Sequence, residues 1–219
     1  MGLILNIETA TKTCSVALAQ DGKLLSLVEE HDIQSHASKL TLFIKEVFAK
    51  ANRSLEELDA IAVSIGPGSY TGLRIGLSTS KGLCYALNKP LITVDTLLAL
   101  AYGMRKVHPD KDAFYIPNMD ARRNEVYYAI LDYDLNFIKN TETLILDEKS
   151  FNIYQKKLII GGNGSKKIDN IANYHIFTKI HIQHSSENMI LISDELLNNN
   201  NLSDVVYLEP NYLKPFKGF

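Results

Sequence analysis

The sequence predicts an α/β protein built from two similar halves, and two internal echoes carry this prediction. The run Asn6-Ile7-Glu8 is followed by a polar turn and a β-prone segment, and Asn118-Met119-Asp120 is followed in the same way. The strand-like run 60–65 leads into a glycine-containing loop and a helix, and the run 158–160 does the same. Weak repeats at half-chain spacing indicate that one supersecondary unit occurs twice.

Composition and charge place the chain among globular proteins. Its 219 residues are 46% hydrophobic and 22% charged, which is enough to bury a core. A net charge of −2 and a pI near 6.3 argue against charge-driven binding to nucleic acid or membrane. Cys14 and Cys84 form no C-x-x-C pair, so we expect reduced, buried thiols. The amino terminus has no basic leader and alternates as a strand does, so we expect a cytoplasmic protein without a membrane segment.

Local patterns predict the elements of the first half in order. Alternating β-prone residues predict strands, apolar residues at helical spacing predict helices, and Ser54 followed by Glu57 is typical of a capping box. The predicted elements are strands at 3–7, 15–18 and 24–29, a helix from about Ser35 to Ala51, a strand at 60–65, a helix that opens after the loop 66–69 and stops before Asn88, a strand at 91–94, and a helix from Asp95 or Thr96 to about Met104.

The second half is less regular. The segment 105–112, with Pro109 and mixed charge, is the best linker candidate, and it suggests domains of 1–106 and 107–219. Beyond the linker we expect strands at 125–131 and 158–160, a helix that Ser186 caps and that runs to Leu197, and an extended carboxyl-terminal segment over 205–214.

The helix after the loop 66–69 keeps Gly72, Gly76 and Gly82, although each glycine inside a helix costs about 1 kcal/mol relative to alanine. Gly72, Gly76 and Ser80 are spaced by four, so they share one face of the helix. Small side chains on one face allow another helix to approach closely. We therefore expect this face to be exposed in the single chain and to contact a partner protein.

The sequence contains no recognisable catalytic constellation. Ser69 is not part of a G-x-S-x-G elbow, residues 66–74 lack the lysine ending of a P-loop, and the six histidines show no metal-ligand spacing. We therefore predict no catalytic residue and no metal site. Backbone N–H groups of glycine loops and acidic residues at hairpin ends could still contact a nucleotide or another anion. The candidates for such contact are Glu8, Thr9, Gly66, Gly68, Ser69, Gly162 and Gly164.

Several motifs together resemble the TsaB (YeaZ) family of tRNA-modification proteins. They are the run SIGPGSYTGLRIGL at 64–77 with Lys81-Gly82-Leu83, the hairpin Asn6-Ile7-Glu8-Thr9, His36 with Leu40, the run MDARRNEVY at 119–127, and the ending LEPNYL at 208–213. The resemblance spans the chain and implies two actin-like ATPase (ASKHA) lobes, the C-terminal one reduced. It implies a non-catalytic subunit that binds and activates the TsaD transferase, which forms threonylcarbamoyladenosine at position 37 of ANN-decoding tRNAs.

The resemblance also implies partners and an interface. The helices corresponding to about Ser35–Ala51 and Thr71–Leu87 would pack against TsaD in a heterodimer. The TsaE ATPase and tRNA would join the complex, and ATP and a divalent metal would be used by the complex rather than bound tightly by this subunit alone. The implied partner-interface residues are His36, Leu40, Thr71, Gly72, Ile75, Gly76, Thr79 and Ser80.

Two other functions stay open at this point. One is a nucleotide-binding actin-like ATPase, although Glu8 stands where many relatives carry Asp. The other is a glycoprotease-like hydrolase, which needs a nucleophile and base or a metal. The H-x-x-x-H metal pair of TsaD is absent from this sequence. The sequence does not fix whether the chain forms a homodimer when alone, or whether Arg122 and Arg123 contact tRNA.

Overall fold

The computed structural model describes residues 2–31, 36–147, 150–151, 156–168 and 177–214. The chain folds into two compact units. The first comprises Met1–Thr96 and His184–Phe219, and the second comprises Leu97–Gln183. The division at 106/107 stays a prediction about lobes. The two compact units differ from it because the second unit begins earlier and the carboxyl-terminal segment belongs to the first.

The first unit is built on a five-stranded sheet with the order β3-β2-β1-β4-β5. The β1–β2 and β2–β3 pairs are antiparallel, and the β1–β4 and β4–β5 pairs are parallel. Its elements are β1 (Leu3–Glu8), β2 (Cys14–Gln20), β3 (Lys23–Glu30), α1 (His36–Ala51), β4 (Ala60–Gly66), α2 (Tyr70–Leu87), β5 (Leu91–Asp95), a 3₁₀ turn (Ser186–Met189) and α5 (Ile190–Asn198).

Helices cover both faces of this sheet. Val16 and Leu18 of β2 join the core cluster that contains the buried side of α1. Ala17 and Ala19 pack instead with Ile190 of α5. Because successive strand residues point to opposite faces, α1 and α5 lie on opposite sides of the sheet. The nearly continuous burial of β1 and β4 follows from this double coverage.

The second unit repeats the strand pattern of the first. Its sheet order is β10-β9-β6-β7-β8, with antiparallel β6–β7 and β7–β8 pairs and parallel β6–β9 and β9–β10 pairs. The elements are α3 (Thr96–Val107), β6 (Phe114–Asp120), β7 (Glu125–Leu131), β8 (Phe137–Ile145), β9 (Leu158–Gly161), α4 (Ser165–Ile168) and β10 (Phe177–Ile180). Two similarly built α/β halves are therefore confirmed.

Some local predictions were wrong. Helix α3 continues to Val107, so the predicted linker begins inside it. Ser185, not Ser186, caps the 3₁₀ turn by accepting a hydrogen bond from the Glu187 N–H. Residues 205–207 form a turn where extended chain was expected, because Asp204 caps them. The capping box of Ser54 and Glu57 is confirmed, and Ser35 lies outside the described residues.

Candidate functional site

The loop that opens α2 packs against the turn of the β1–β2 hairpin. The Ser69 N–H donates to the Ala10 carbonyl oxygen at 2.7 Å, and the Ser69 hydroxyl accepts from the Gly72 N–H at 3.2 Å as the helix N-cap. A Cβ on Gly68 would lie 2.5 Å from the same Ala10 oxygen. Side chains at these positions would push the helix away from the hairpin.

The small-residue face of α2 is occupied from within the chain. A Cβ on Gly72 would lie well under 3.0 Å from the Thr9 carbonyl oxygen, and a Cβ on Gly76 would lie equally close to the Thr9 hydroxyl. The Thr9 hydroxyl donates to the Gly72 carbonyl oxygen at 2.9 Å, and Gly72, Gly76 and Ser80 are buried. The prediction that this face is exposed in the single chain was therefore wrong. Spacing identified a close approach, but the neighbour is the hairpin turn of the same chain.

The predicted interface residues fall into two groups. Leu40, Gly72, Gly76 and Ser80 are buried, so they offer a partner little surface. Thr71 is exposed, and His36, Ile75 and Thr79 are partly exposed. The role of this second group in an interface stays a prediction.

The solvent side of α2 carries a different glycine. Ser78, Gly82 and Tyr85 are exposed, and a Cβ on Gly82 would meet no atom within 4 Å. Contacts within the chain therefore do not require glycine at position 82. This exposed side, together with Thr71 and Ile75, is called the α2 outer face below.

Glu8 is a buried carboxyl at the end of β1. Its Oε1 accepts hydrogen bonds from the Ala10 N–H at 2.5 Å and from the Ser64 hydroxyl at 3.0 Å. Burial raises the pKa of Glu8 from 4.5 to about 7, although these hydrogen bonds lower it. The carboxyl is therefore held by an N–H of its own hairpin turn and by a hydroxyl of β4. Contact between Glu8 or Thr9 and a nucleotide stays a prediction.

The glycine loop of the second unit is also shaped by internal packing. Gly162 has φ +120°, and a Cβ there would overlap the Asn118 carbonyl oxygen. A Cβ on Gly164 would lie 2.8 Å from the Asn118 Oδ1. Gly66 in the first unit has the same φ, and a Cβ there would lie 2.7 Å from the Asn211 carbonyl oxygen. Close backbone approach explains these glycines without a bound anion.

The acid that echoes Glu8 in the second unit is an ion-paired surface group. The Asp120 Oδ1 accepts from the Lys167 ammonium at 2.6 Å and from the Arg122 N–H at 2.6 Å. Arg122 and Arg123 follow in an exposed turn with left-handed φ values of 67° and 48°. Their contact with tRNA stays a prediction.

A hydroxyl, an imidazole and a carboxylate lie in a row that the sequence patterns did not predict. The Thr13 hydroxyl lies 3.0 Å from the His31 Nδ1, and the His31 Nε2 lies 3.6 Å from the Glu29 Oε1. Cys14 pairs with Glu30 across β2 and β3, which brings Thr13 near His31. The register of this hairpin is therefore the feature from which the row could have been predicted. Thr13 is only 6% exposed, and 3.6 Å is longer than a hydrogen bond, so the row is a poor nucleophile site.

Among residues 2–31, 36–147, 150–151, 156–168 and 177–214, no three His, Cys, Asp or Glu side chains form a group that could hold a metal ion. Over the same ranges, no helix combines the length and apolar character needed to cross a bilayer.

Sequence relationships decide the family. The family model described as TsaD, tRNA N6-adenosine threonylcarbamoyltransferase, matches residues 24–206. The chain is 34% identical over 148 residues to the tRNA threonylcarbamoyladenosine biosynthesis protein TsaB of Escherichia coli, covering 66% of this chain and 63% of that protein. It is 32% identical to TsaB of Haemophilus influenzae over 58% of this chain and 52% of that protein. The chain belongs to the family that this model describes, and it is similar to the TsaB (YeaZ) proteins.

Solved structures agree with this membership at the level of the fold. YeaZ from Pseudomonas aeruginosa matches with a TM-score of 0.86 and 22% identity over 97% of this chain and 100% of that one. The activator of 2-hydroxyisocaproyl-CoA dehydratase from Clostridium difficile, solved with bound ADPNP, matches with a TM-score of 0.54 and 7% identity over 91% and 97%. The actin-like ATPase fold class is thereby confirmed. The alignments with the two TsaB relatives span between half and two thirds of their length.

Proposed function

We propose that the chain is a non-catalytic subunit that binds and activates a TsaD transferase during formation of threonylcarbamoyladenosine on tRNA. Sequence similarity to the TsaB biosynthesis proteins, within a chain that the TsaD family model matches, is the observation that carries this proposal. TsaE and tRNA join through the complex, which uses ATP and a divalent metal. The chain acts in the cytoplasm.

The geometry supports an accessory role in two ways. The hydroxyl end of the Thr13–His31–Glu29 row is buried, which disfavours this row as a nucleophile site. The α2 outer face meanwhile offers a close approach at Gly82, beside the exposed ring of Tyr85. Helices α1 and α2 contact each other in the first unit, and in this proposal a helical partner packs against both.

The test is a binding and reconstitution experiment with the TsaD protein of the same organism. Calorimetry should show binding of the purified chain to TsaD, and Ser78→Arg on the α2 outer face should weaken it by about ten-fold or more, because a bulky charge would be forced into the interface. Thr178→Arg, an exposed hydroxyl residue of the second unit, is the matched control and should bind as the wild type does. Adding the chain to TsaD and TsaE should raise the yield of modified tRNA.

Two results would overturn the proposal. One is the absence of any binding between the wild-type chain and TsaD. The other is robust hydrolase or transferase turnover by the chain alone that Thr13→Val abolishes, since this variant removes only the hydroxyl of the Thr13–His31–Glu29 row.

A further inference from the structure

Residues 204–208 form a capped helical turn, named the C-terminal turn here. The Asp204 Oδ1 accepts hydrogen bonds from the Val206 N–H at 2.7 Å and the Tyr207 N–H at 3.0 Å, and the Leu208 N–H donates to the Asp204 carbonyl oxygen at 3.3 Å. These backbone donors lower the pKa of the Asp204 carboxyl. The arrangement is that of an N-cap followed by one turn of helix, so the backbone is fixed before any partner binds.

The C-terminal turn is anchored to the first unit on both of its sides. Val205 and Leu208 pack against the core cluster that also includes the inner side of α2. The Lys81 ammonium on α2 donates to the Val206 carbonyl oxygen at 3.0 Å. Just before the turn, the Ser203 N–H donates to the Leu91 carbonyl oxygen at 2.8 Å. The turn therefore has a defined position beside α2.

The residues between these anchors point apolar and aromatic groups into solvent. Val206 is 73% exposed and Tyr207 is 84% exposed, while Tyr85, one helical turn beyond Lys81, is 90% exposed. Single exposed apolar residues are common, but two consecutive ones on a capped turn, beside a helix that carries a third, are not explained by the stability of the unit. Tyrosine on a preorganised backbone is typical of binding hot spots, because little conformational entropy is lost on contact.

We propose that the C-terminal turn is part of the surface that binds TsaD, with Val206 and Tyr207 as apolar anchors that extend the α2 outer face. This inference rests on the proposed function. TsaD is the expected partner because the C-terminal turn lies beside the α2 outer face. Tyr85 belongs to that face, and Lys81 of the same helix donates a hydrogen bond to the turn. A partner that covers α2 at Gly82 and Tyr85 therefore meets Val206 and Tyr207 next.

The test compares a double variant of the C-terminal turn with a control substitution at an exposed β-branched residue of the second unit. Val206→Ser combined with Tyr207→Ser should weaken calorimetric binding to TsaD by about ten-fold or more, the loss expected when buried apolar area is removed from an interface. Ile145→Ser on β8 of the second unit, where the side chain is 68% exposed, should leave the affinity unchanged. Both proteins should melt within a few degrees of the wild type, because the altered side chains are exposed.

The outcomes distinguish failure of this inference from failure of the proposed function. If Ser78→Arg weakens binding and the double variant does not, the C-terminal turn is outside the interface, and the proposed function stands. If the wild-type chain does not bind TsaD, both proposals fall. If the double variant binds TsaD normally but loses self-association in analytical ultracentrifugation, a second copy of the chain covers the turn, and the inference is overturned.

Discussion

Two glycines of α2 should respond in opposite ways to the same substitution. In Gly76→Leu, the new Cβ would lie under 3.0 Å from the Thr9 hydroxyl and 3.5 Å from both the Thr9 Cβ and the Val63 Cγ2. Such overpacking costs about 1 to 3 kcal/mol. Displacing the Thr9 hydroxyl also breaks its hydrogen bond to the Gly72 carbonyl oxygen, for about 0.5 to 1.5 kcal/mol more. The gain in helix propensity offsets about 1 kcal/mol.

The net loss in the free energy of unfolding for Gly76→Leu is therefore roughly 0.5 to 3.5 kcal/mol. In a chain of this size that lowers the melting temperature by roughly 1 to 14 °C. Gly82→Leu meets no atom within 4 Å at its Cβ, so it keeps the propensity gain and should melt about 2 to 4 °C above the wild type.

Differential scanning calorimetry of the two variants checks this reasoning, and TsaD affinity is the second measurement. Gly82→Leu should fold well and bind TsaD weakly, because leucine would fill the open approach on the α2 outer face. A Gly76→Leu protein that melts at or above the wild-type temperature would show that the hairpin turn does not confine α2, and the account of its glycines would be wrong.

Three further predictions follow from burial and internal hydrogen bonding. Glu8→Gln should be more stable than the wild type by roughly 3 kcal/mol at pH 8 and about equally stable near pH 4. The folded-state pKa of Glu8 is raised from 4.5 to about 7, so the wild type loses free energy of unfolding as the pH rises through that window. Equal shifts of the urea midpoint at both pH values would contradict this prediction. Burial lowers the pKa of His184 to about 4, so its contribution to the free energy of unfolding is present above pH 6.5 and is lost as the pH falls toward 4. In a Glu8→Gln background, His184→Leu should remove this loss when the free energy of unfolding is measured by urea titration at several pH values. An unchanged dependence of that free energy on pH would count against the prediction. The isolated chain should bind ATP only weakly in calorimetry, because two backbone N–H groups of its glycine loop are already used inside the protein. The Gly66 N–H donates to the Thr96 hydroxyl, and the Ser69 N–H donates to the Ala10 carbonyl oxygen. Micromolar ATP affinity that Glu8→Ala abolishes would refute this prediction.

Much of the fold was predictable because its signals are local. Alternation predicted the β1–β2 hairpin, and Ser54 and Glu57 predicted a capping box. The repeated runs after Asn6 and Asn118 predicted two similarly built halves, which the matching strand orders of the two sheets confirm. The return of residues 184–214 to the first unit was not predictable in this way. It depends on long-range contacts such as the hydrogen bond of the Ser193 hydroxyl to the Asn6 Oδ1 at 2.7 Å, which leave no periodic pattern.

The site shows the same limit at the scale of single residues. The spacing of Gly72, Gly76 and Ser80 correctly indicated a close approach to α2, but spacing does not identify the approaching group, and Thr9 is remote in sequence. The outer glycine, Gly82, also has small residues four positions to either side, Ser78 and Ala86, but this second face was not predicted. Val206 and Tyr207 were missed because an extended segment was expected where Asp204 folds a turn.

The first unit is built from two separate segments of the chain, and this affects the order in which the two units can fold during synthesis. A nascent chain that has emerged only to residue 183 lacks α5, so the sheet face that carries Ala17 and Ala19 has no cover from Ile190. The second unit is continuous in the chain, so it can complete its folding before the first unit, which still lacks its carboxyl-terminal segment. Ribosome-bound chains halted there should expose an apolar sheet face and be recognised by chaperones until the last segment arrives.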